Sequence, residues 1–398
     1  MLIVSGYGIL SSLGQGAAEN FSSLAKETHG LSSLDILETL HAKEFPFGEV
    51  KLNNNRLYRG LTRRSRLWHT RTALLGITAL EEAWEHAKIQ EKHSFRIGLF
   101  NATTVGGMCE VEKYYFDILN TPGDYSQYAD TIDCADCSHR LAMHFGIKHF
   151  VTTISTACSS SANAIMLGAR MLQQDMIDIA VCGGTDALTR FTVNGFNALK
   201  NIDRQNCRPF DANRNGLNLG EGAAYIILEK EAHAKKRGAD CFAQLSGYGN
   251  YNEAFHPTAP NPEGEGAYQV MQVALKKAGL KPSDISYINA HGTATLTNDE
   301  SESNAMKRLF DKVPAFSSTK CYTGHTLAAA GAIEACFSIM ALQEQCIFGN
   351  LNFETPMPEA GLQPQTHFLS NKPVNHVMSN SFAFGGNNAS LIFSKLPS

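Results

Sequence analysis

No stretch of the chain approaches the ~18 consecutive apolar residues that a membrane span requires, so none is expected. The N-terminus, Met1-Leu2-Ile3-Val4-Ser5-Gly6, carries no basic residue and reads as a first strand, not a secretory leader. Positive charge is not in excess: 34 Lys and Arg stand against 38 Asp and Glu, a net charge of −4. That balance argues against a general nucleic-acid binder. The ten cysteines are scattered, unlike the dense, short pattern of a secreted disulfide scaffold. The expected compartment is therefore the reducing cytoplasm. The one C-x-x-C, Cys134-Ala135-Asp136-Cys137, has no second pair at zinc spacing, so a packing role is expected there. No G-x-S-x-G marks a serine hydrolase.

With 398 residues, 43% apolar and 18% charged, the chain has the make-up of an ordinary globular protein. Its length allows two to three domains or one duplicated α/β unit. Phe150-Val151-Thr152-Thr153-Ile154 reads as a buried strand, followed by the small residues Thr156-Ala157-Cys158-Ser159-Ser160-Ser161. Ile165, Ala169 and Leu172 then recur at helical spacing. Cys158 thus falls on a strand-to-helix turn. The positive end of the helix dipole favours thiolate there, although a cysteine among small residues is equally a packing residue. The run Ile177–Gly184 completes a βαβ unit, with parallel strands expected. Residues 16–60 show no strong period.

The pattern restarts near residue 240. Gln244-Leu245-Ser246-Gly247-Tyr248-Gly249 echoes Ile3-Val4-Ser5-Gly6-Tyr7-Gly8, whose glycines read as a turn. The strand, small-residue turn and apolar helix after Ala315 mirror the Cys158 block, and two α/β halves are expected, 1–240 and 241–398. Two further polar turns follow strands, one with His291 in Asn289-Ala290-His291-Gly292-Thr293, the other with His325 in Lys320-Cys321-Tyr322-Thr323-Gly324-His325. Ligand sites of parallel α/β sheets collect beyond the carboxyl ends of strands. Cys158, His291 and His325 at equivalent ends favour chemistry over packing. Their spacing forms no local metal-ligand pair, so no metal is expected. Six arginines, Arg56, Arg59, Arg63, Arg64, Arg66 and Arg71, form a basic cluster that is either a solvated face or a docking patch for an acidic partner.

Thr156-Ala157-Cys158-Ser159-Ser160, His291-Gly292-Thr293-Ala294-Thr295, Lys320…Gly324-His325 and Phe382-Ala383-Phe384-Gly385-Gly386-Asn387-Asn388 together resemble the signatures of the β-ketoacyl-acyl-carrier-protein synthases. The elongating Cys-His-His type is the nearer match, and the likeness runs in order along nearly the whole chain. It implies a duplicated, five-layered αβαβα thiolase-like α/β fold and a decarboxylative condensation. Cys158 would hold the acyl group, with the backbone N–H groups of Cys158 and Phe384 as oxyanion hole. His291 and His325 would act on a malonyl thioester. Lys320 and Glu334 would orient the histidines. Thr293 and Thr295 would bind the pantetheine arm of an acyl carrier protein, Phe382 would contact substrate, and Phe384 would gate the acyl pocket. Met108 and Cys109 would line that pocket's far end, and Arg63, Arg64 and Arg66 would dock the carrier. No resident cofactor is implied, since substrates arrive on the carrier's phosphopantetheine. A homodimer, or a heterodimer with a related subunit, is implied.

Three departures point away from a housekeeping fatty-acid role and toward a specialised polyketide- or polyene-type synthase. Ala383 and Asn387 replace the family's usual glycine and threonine, and the loop from Ala198 to Arg208 is short. A thiolase would carry a second cysteine in the C-terminal glycine motif, and the last cysteine is Cys346. Initiating synthases carry asparagine where His325 stands. A non-catalytic chain-length subunit would lack the cysteine, though the chain could be the active half of a heterodimer with one.

Overall fold

The computed structural model describes residues 1–62, 68–89, 94–121, 123 and 125–396. Ten strands carry the fold: β1 (Leu2–Ser11), β2 (Ile97–Ala102), β3 (Phe150–Ile154), β4 (Ile179–Asp186), β5 (Gly222–Lys230), β6 (Ala243–Asn252), β7 (Tyr287–Asn289), β8 (Ala315–Ser317), β9 (His376–Phe382) and β10 (Asn387–Ser394). They lie in the order β3-β2-β4-β5-β1-β6-β10-β9-β7-β8, and a two-residue strand, Gly14–Gln15, pairs with the end of β1. Read inward from either edge, the second five repeat the first. In each half the two outer pairings are parallel and the next is antiparallel. The halves join where Ile3 and Val4 of β1 pair with Gln244 and Ala243 of β6.

The helices that matter here are α1 (Arg71–His86), α2 (Met108–Asn120), α3 (Cys134–Phe145), α4 (Ser160–Gln173), α5 (Arg190–Ala198), α6 (Glu265–Ala278), α7 (Leu296–Leu309) and α8 (Ala330–Gln343). Helices α1 and α3 cover the outer face of the first half, α6 and α7 that of the second, and α4 packs on α8 between them. The result is the five-layered αβαβα arrangement, with apolar cores under each outer layer and a larger one in the middle. Every residue of α8 from Ala330 to Leu342 is buried, as expected of a helix that is apolar all round.

Three expectations change. The glycines of the repeated Ser-Gly-Tyr-Gly do not end their strands, which run on through them. They let a helix backbone approach. A Cβ at Gly8 would lie 2.2 Å from the Ala79 carbonyl oxygen of α1, and one at Gly247 would lie 2.4 Å from that of Ala274 in α6. The run Phe150–Ile154 is a strand, but only half-buried where full burial was expected, because β3 is the sheet's edge. Residues 16–60 contain two helices, Ala17–Ala25 and Asn54–Gly60. Among the described residues no helix is long and apolar enough to cross a membrane.

Candidate active site

Cys158 precedes α4 on a turn that the chain does not adopt freely. Ala157 has φ 50°, in the left-handed region that costs a non-glycine residue about 1–2 kcal/mol. The turn is held from beneath. The Ser160 hydroxyl donates to the Ala157 carbonyl (2.6 Å) and accepts the Thr156 N–H (2.8 Å). The Asn387 Oδ1 accepts from Ser159 Oγ, Asn163 Nδ2 and Asn250 Nδ2 at 2.8, 2.8 and 2.9 Å. Asn387 thus ties the start of β10 to the nucleophile turn. Cys158 is buried, and the backbone N–H of Phe384 donates to its sulfur. Contrary to the expectation from the helix dipole alone, burial pushes the thiol up to about 11, despite the Lys320 charge and that N–H.

His291 follows β7, and both the His291 and Gly292 N–H groups donate to the buried Glu302 carboxylate, at 2.9 and 2.8 Å. His325 follows the short helix Lys320–Thr323. Its N–H donates to the Asn218 carbonyl at 2.7 Å. The cysteine sulfur and one nitrogen of each histidine lie within 4.8 Å of one another, and the rings meet edge to face at 5.5 Å. Elements from both halves therefore converge on one cavity.

The hydrogen bonds assign the tautomers. Lys320 Nζ donates to His291 Nδ1 (3.2 Å) and to the His291 carbonyl (2.7 Å), and pairs with the Glu334 carboxylate. The Leu327 N–H donates to His325 Nδ1 (3.1 Å). With each Nδ1 accepting, a neutral ring carries its proton on Nε2. Burial and the Lys320 charge hold both histidines well below their ordinary pKa, hence neutral. The buried His325 Nε2 has no hydrogen-bond partner among the described residues. Burial pushes Glu334 up to about 7, partly offset by Lys320. A cation at the three converging atoms would have to displace both Nε2 protons beside an ammonium group. The donor set suits an incoming oxygen better than a metal ion.

The same cavity is lined by Thr293, Thr295, Phe382 and Phe384, together with Phe196 and Asn388. Phe196 of α5 stacks on Phe384, ring centroids 5.8 Å apart. Thr293 and Thr295 share a hydroxyl hydrogen bond of 2.8 Å. Met108 and Cys109, expected on the acyl pocket, do not line this cavity. Cys109 faces a separate polar cleft with Glu49, Glu110 and Arg190, and Met108 packs against the cluster containing Val105 and Leu188. Arg63, Arg64 and Arg66 lie outside the described residues. Arg71 leaves the proposed basic patch altogether: it is buried, and its Nε donates to Glu221 at 2.9 Å. The sequence reading missed Glu302, Asn163, Asn250 and Phe196. Glu302 could have been flagged as an acidic residue one α-helical stretch after the histidine turn. The asparagines give no signal until the halves are assembled.

A duplicated α/β fold with a cysteine and two neutral histidines at strand ends defines a thioester-condensing enzyme. Family comparison makes this specific. Residues 2–234 match the family model "Beta-ketoacyl synthase, N-terminal domain", and residues 242–354 match "Beta-ketoacyl synthase, C-terminal domain". The chain is 31% identical over 407 aligned residues to the 3-oxoacyl-[acyl-carrier-protein] synthase 2 of Staphylococcus aureus, covering 99% of this chain and 98% of that one. It is 43% identical over 251 residues to the Rhizobium meliloti protein of the same name, covering 60% and 59%. Among solved structures it resembles the ishigamide ketosynthase/chain length factor, with TM-score 0.93, 28% identity and 100% and 99% coverage. It also resembles a chain of the complex of the ketosynthase ApeO with its chain length factor ApeC from Xenorhabdus doucetiae, with TM-score 0.81, 30% identity and 99% and 98% coverage. The chain belongs to the beta-ketoacyl synthase family. It is a condensing acyltransferase.

Proposed function

We propose that Cys158 takes an acyl group from a carrier-protein thioester and extends it with a malonyl unit. The cysteine sulfur bonds to the acyl carbon, the carrier's C–S bond breaks, and the thiol proton ends on the departing pantetheine sulfur. A malonyl thioester then enters. Loss of carbon dioxide leaves an enolate, whose oxygen accepts from His291 and His325 Nε2–H. The enolate carbon attacks the acyl-Cys158 carbonyl, and the resulting oxyanion accepts the N–H groups of Cys158 and Phe384. Collapse releases the cysteine, which regains a proton, and a β-ketoacyl thioester two carbons longer. Lys320 and Glu334 are positioning residues, and Thr293, Thr295 and Phe382 contact the arm and chain. No resident cofactor is needed. The observation that carries this reading is the pair of neutral histidines, one with a buried Nε2 unpartnered among the described residues, facing a cysteine within 4.8 Å.

Incubation with acyl- and malonyl-loaded carrier proteins, followed by mass spectrometry, should yield the β-ketoacyl carrier and carbon dioxide. Changing His325 to Ala should lower decarboxylation ~10²–10³-fold, the usual cost of one oxyanion donor, while Cys158 still acylates. Decarboxylation at the wild-type rate would remove His325 from the reaction.

A second reading is supported by β3. An edge strand of Phe150, Val151 and Ile154, only half-buried, is a surface that natural proteins pair or cover. Two similar structures carry a ketosynthase with a chain length factor, and another, named AntDE:AntF, carries an acyl-carrier protein with its ketosynthase at 27% identity and TM-score 0.87. We infer a dimer through this edge, with itself or a related subunit, serving a polyketide- or polyene-type pathway in the cytoplasm. Light scattering of the isolated chain tests it: a homodimer fits the first form, and a monomer that cannot extend chains until a chain length subunit is added fits the second.

A further inference from the structure

The proton on His325 Nε2 depends on a donor at Nδ1, and that donor sits in an unfavourable turn. It is the Leu327 N–H, and Leu327 has φ 52°. A bulky residue there is strained and persists only where the surroundings over-determine it. Part of the hold is apolar: Leu327 is buried in the cluster with Val105, Leu188 and Leu217. The rest comes from across the molecule. Asp186, fully buried at the end of β4, accepts the next N–H, that of Ala328, on Oδ2 at 2.9 Å. Its other partners all come from the loop after β2. Oδ1 takes Thr103 Oγ1 (2.6 Å), Thr104 N–H (2.9 Å) and Val105 N–H (3.2 Å), while Oδ2 also takes Thr104 Oγ1 (2.6 Å). The approach is close, since a Cβ at Gly184 would lie 3.0 Å from the Ala328 carbonyl oxygen.

We propose that Asp186 is a positioning residue for decarboxylation: by accepting the Ala328 N–H it holds the left-handed Leu327 turn, and through the Leu327 N–H it keeps His325 as an Nε2–H donor. The inference rests on the role given to His325 above. Asp186 touches no substrate. The two histidine turns are then held by different halves, with His291 anchored locally by Glu302 and His325 anchored from the half that carries Cys158. Both half-reactions share one cavity, but only decarboxylation depends on this anchor.

Asp186→Asn is a selective probe. The Oδ1 side faces two backbone N–H groups and the Oδ2 side faces one, and hydroxyls can turn to accept where backbone N–H groups cannot. The amide oxygen therefore stays at the Thr104 and Val105 side, and the Ala328 N–H meets an NH₂ group. Expected for this variant is a roughly 10–100-fold loss of malonyl decarboxylation, the scale of a displaced catalytic group, with Cys158 acylation within about twofold of wild type. In ¹⁵N-histidine spectra the His325 signals should move toward mixed tautomers. Thr104→Val removes a donor from the same oxygen but leaves Ala328 paired, and should keep both half-reactions and the spectrum. A wild-type chain that neither acylates nor decarboxylates would sink the reading of the site itself. A wild-type chain that does both, beside an Asp186→Asn chain of unchanged decarboxylation and spectrum, would overturn the positioning role alone. If Asp186→Asn does not fold, amide exchange at Ala328 in the wild type decides: protection matching the interior of α8 supports the anchor, and rapid exchange overturns it.

Discussion

Cys158 stands where a helix N-terminus should ease ionisation, yet its thiol is held neutral. Moving a thiol from 9.0 to about 11 raises the cost of ionising it by roughly 3 kcal/mol. A helix terminus typically returns only ~0.3–1 kcal/mol, so desolvation wins. The free enzyme should accordingly be a slow target for small electrophiles. Its alkylation by iodoacetamide, followed on the Cys158 peptide, should keep climbing to at least about pH 10, since the thiolate fraction grows until the thiol titrates. A plateau near neutral pH would show a depressed thiol instead. The residue types of the site were legible in the sequence, as were the strand ends bearing them. The sign of the cysteine's shift was not, because it depends on how much water the closed cavity excludes, which emerges only when both halves pack over it.

At the scale of the element, the repeat was readable and its meaning was not. Ser-Gly-Tyr-Gly near the start and again at residues 246–249 marked the duplication correctly. Glycine signals both turns and close approaches, and only the helix lying across the strand distinguishes them. Adding a Cβ at Gly8 meets backbone atoms at 2.2 and 2.6 Å, which cannot move without shifting α1. Gly8→Ala should destabilise the fold by at least ~1–3 kcal/mol, the usual cost of overpacking. Gly195 lies inside α5, and among the described residues a Cβ added there would meet nothing within 4 Å. Gly195→Ala should therefore do the reverse and stabilise by roughly 0.5–1 kcal/mol. Denaturant unfolding of the two variants checks both signs. The half-buried β3 teaches a related point: an apolar β-branched run predicts a strand, but whether its outer edge is covered by this chain is set by strand order, which local pattern does not carry.

For the whole molecule, the site exists only where the halves meet, and it is built from groups whose burial ties stability to pH. His291 and His325 are neutral in the fold and titrate normally when unfolded. Their contribution is full above about pH 6.5 and is lost as pH falls through that value, by ~1.4 kcal/mol per pH unit for each histidine. Glu302 and Glu334, pushed up to about 7, act in the opposite sense. The histidine effect is thus best read as a difference between chains that keep both carboxylates. Between pH 6.5 and 5.5 the wild type should lose up to ~1 kcal/mol more unfolding free energy than His325→Asn. Equal losses would mean that the histidine is not held neutral.

The central claim is that Cys158 carries the acyl group. After incubation with an acyl-loaded carrier protein, the wild-type chain should gain one acyl mass, located on the peptide containing Cys158, and Cys158→Ser should gain none while keeping its fold by circular dichroism. An acyl group on another residue, or transfer that survives in Cys158→Ser, would contradict the account.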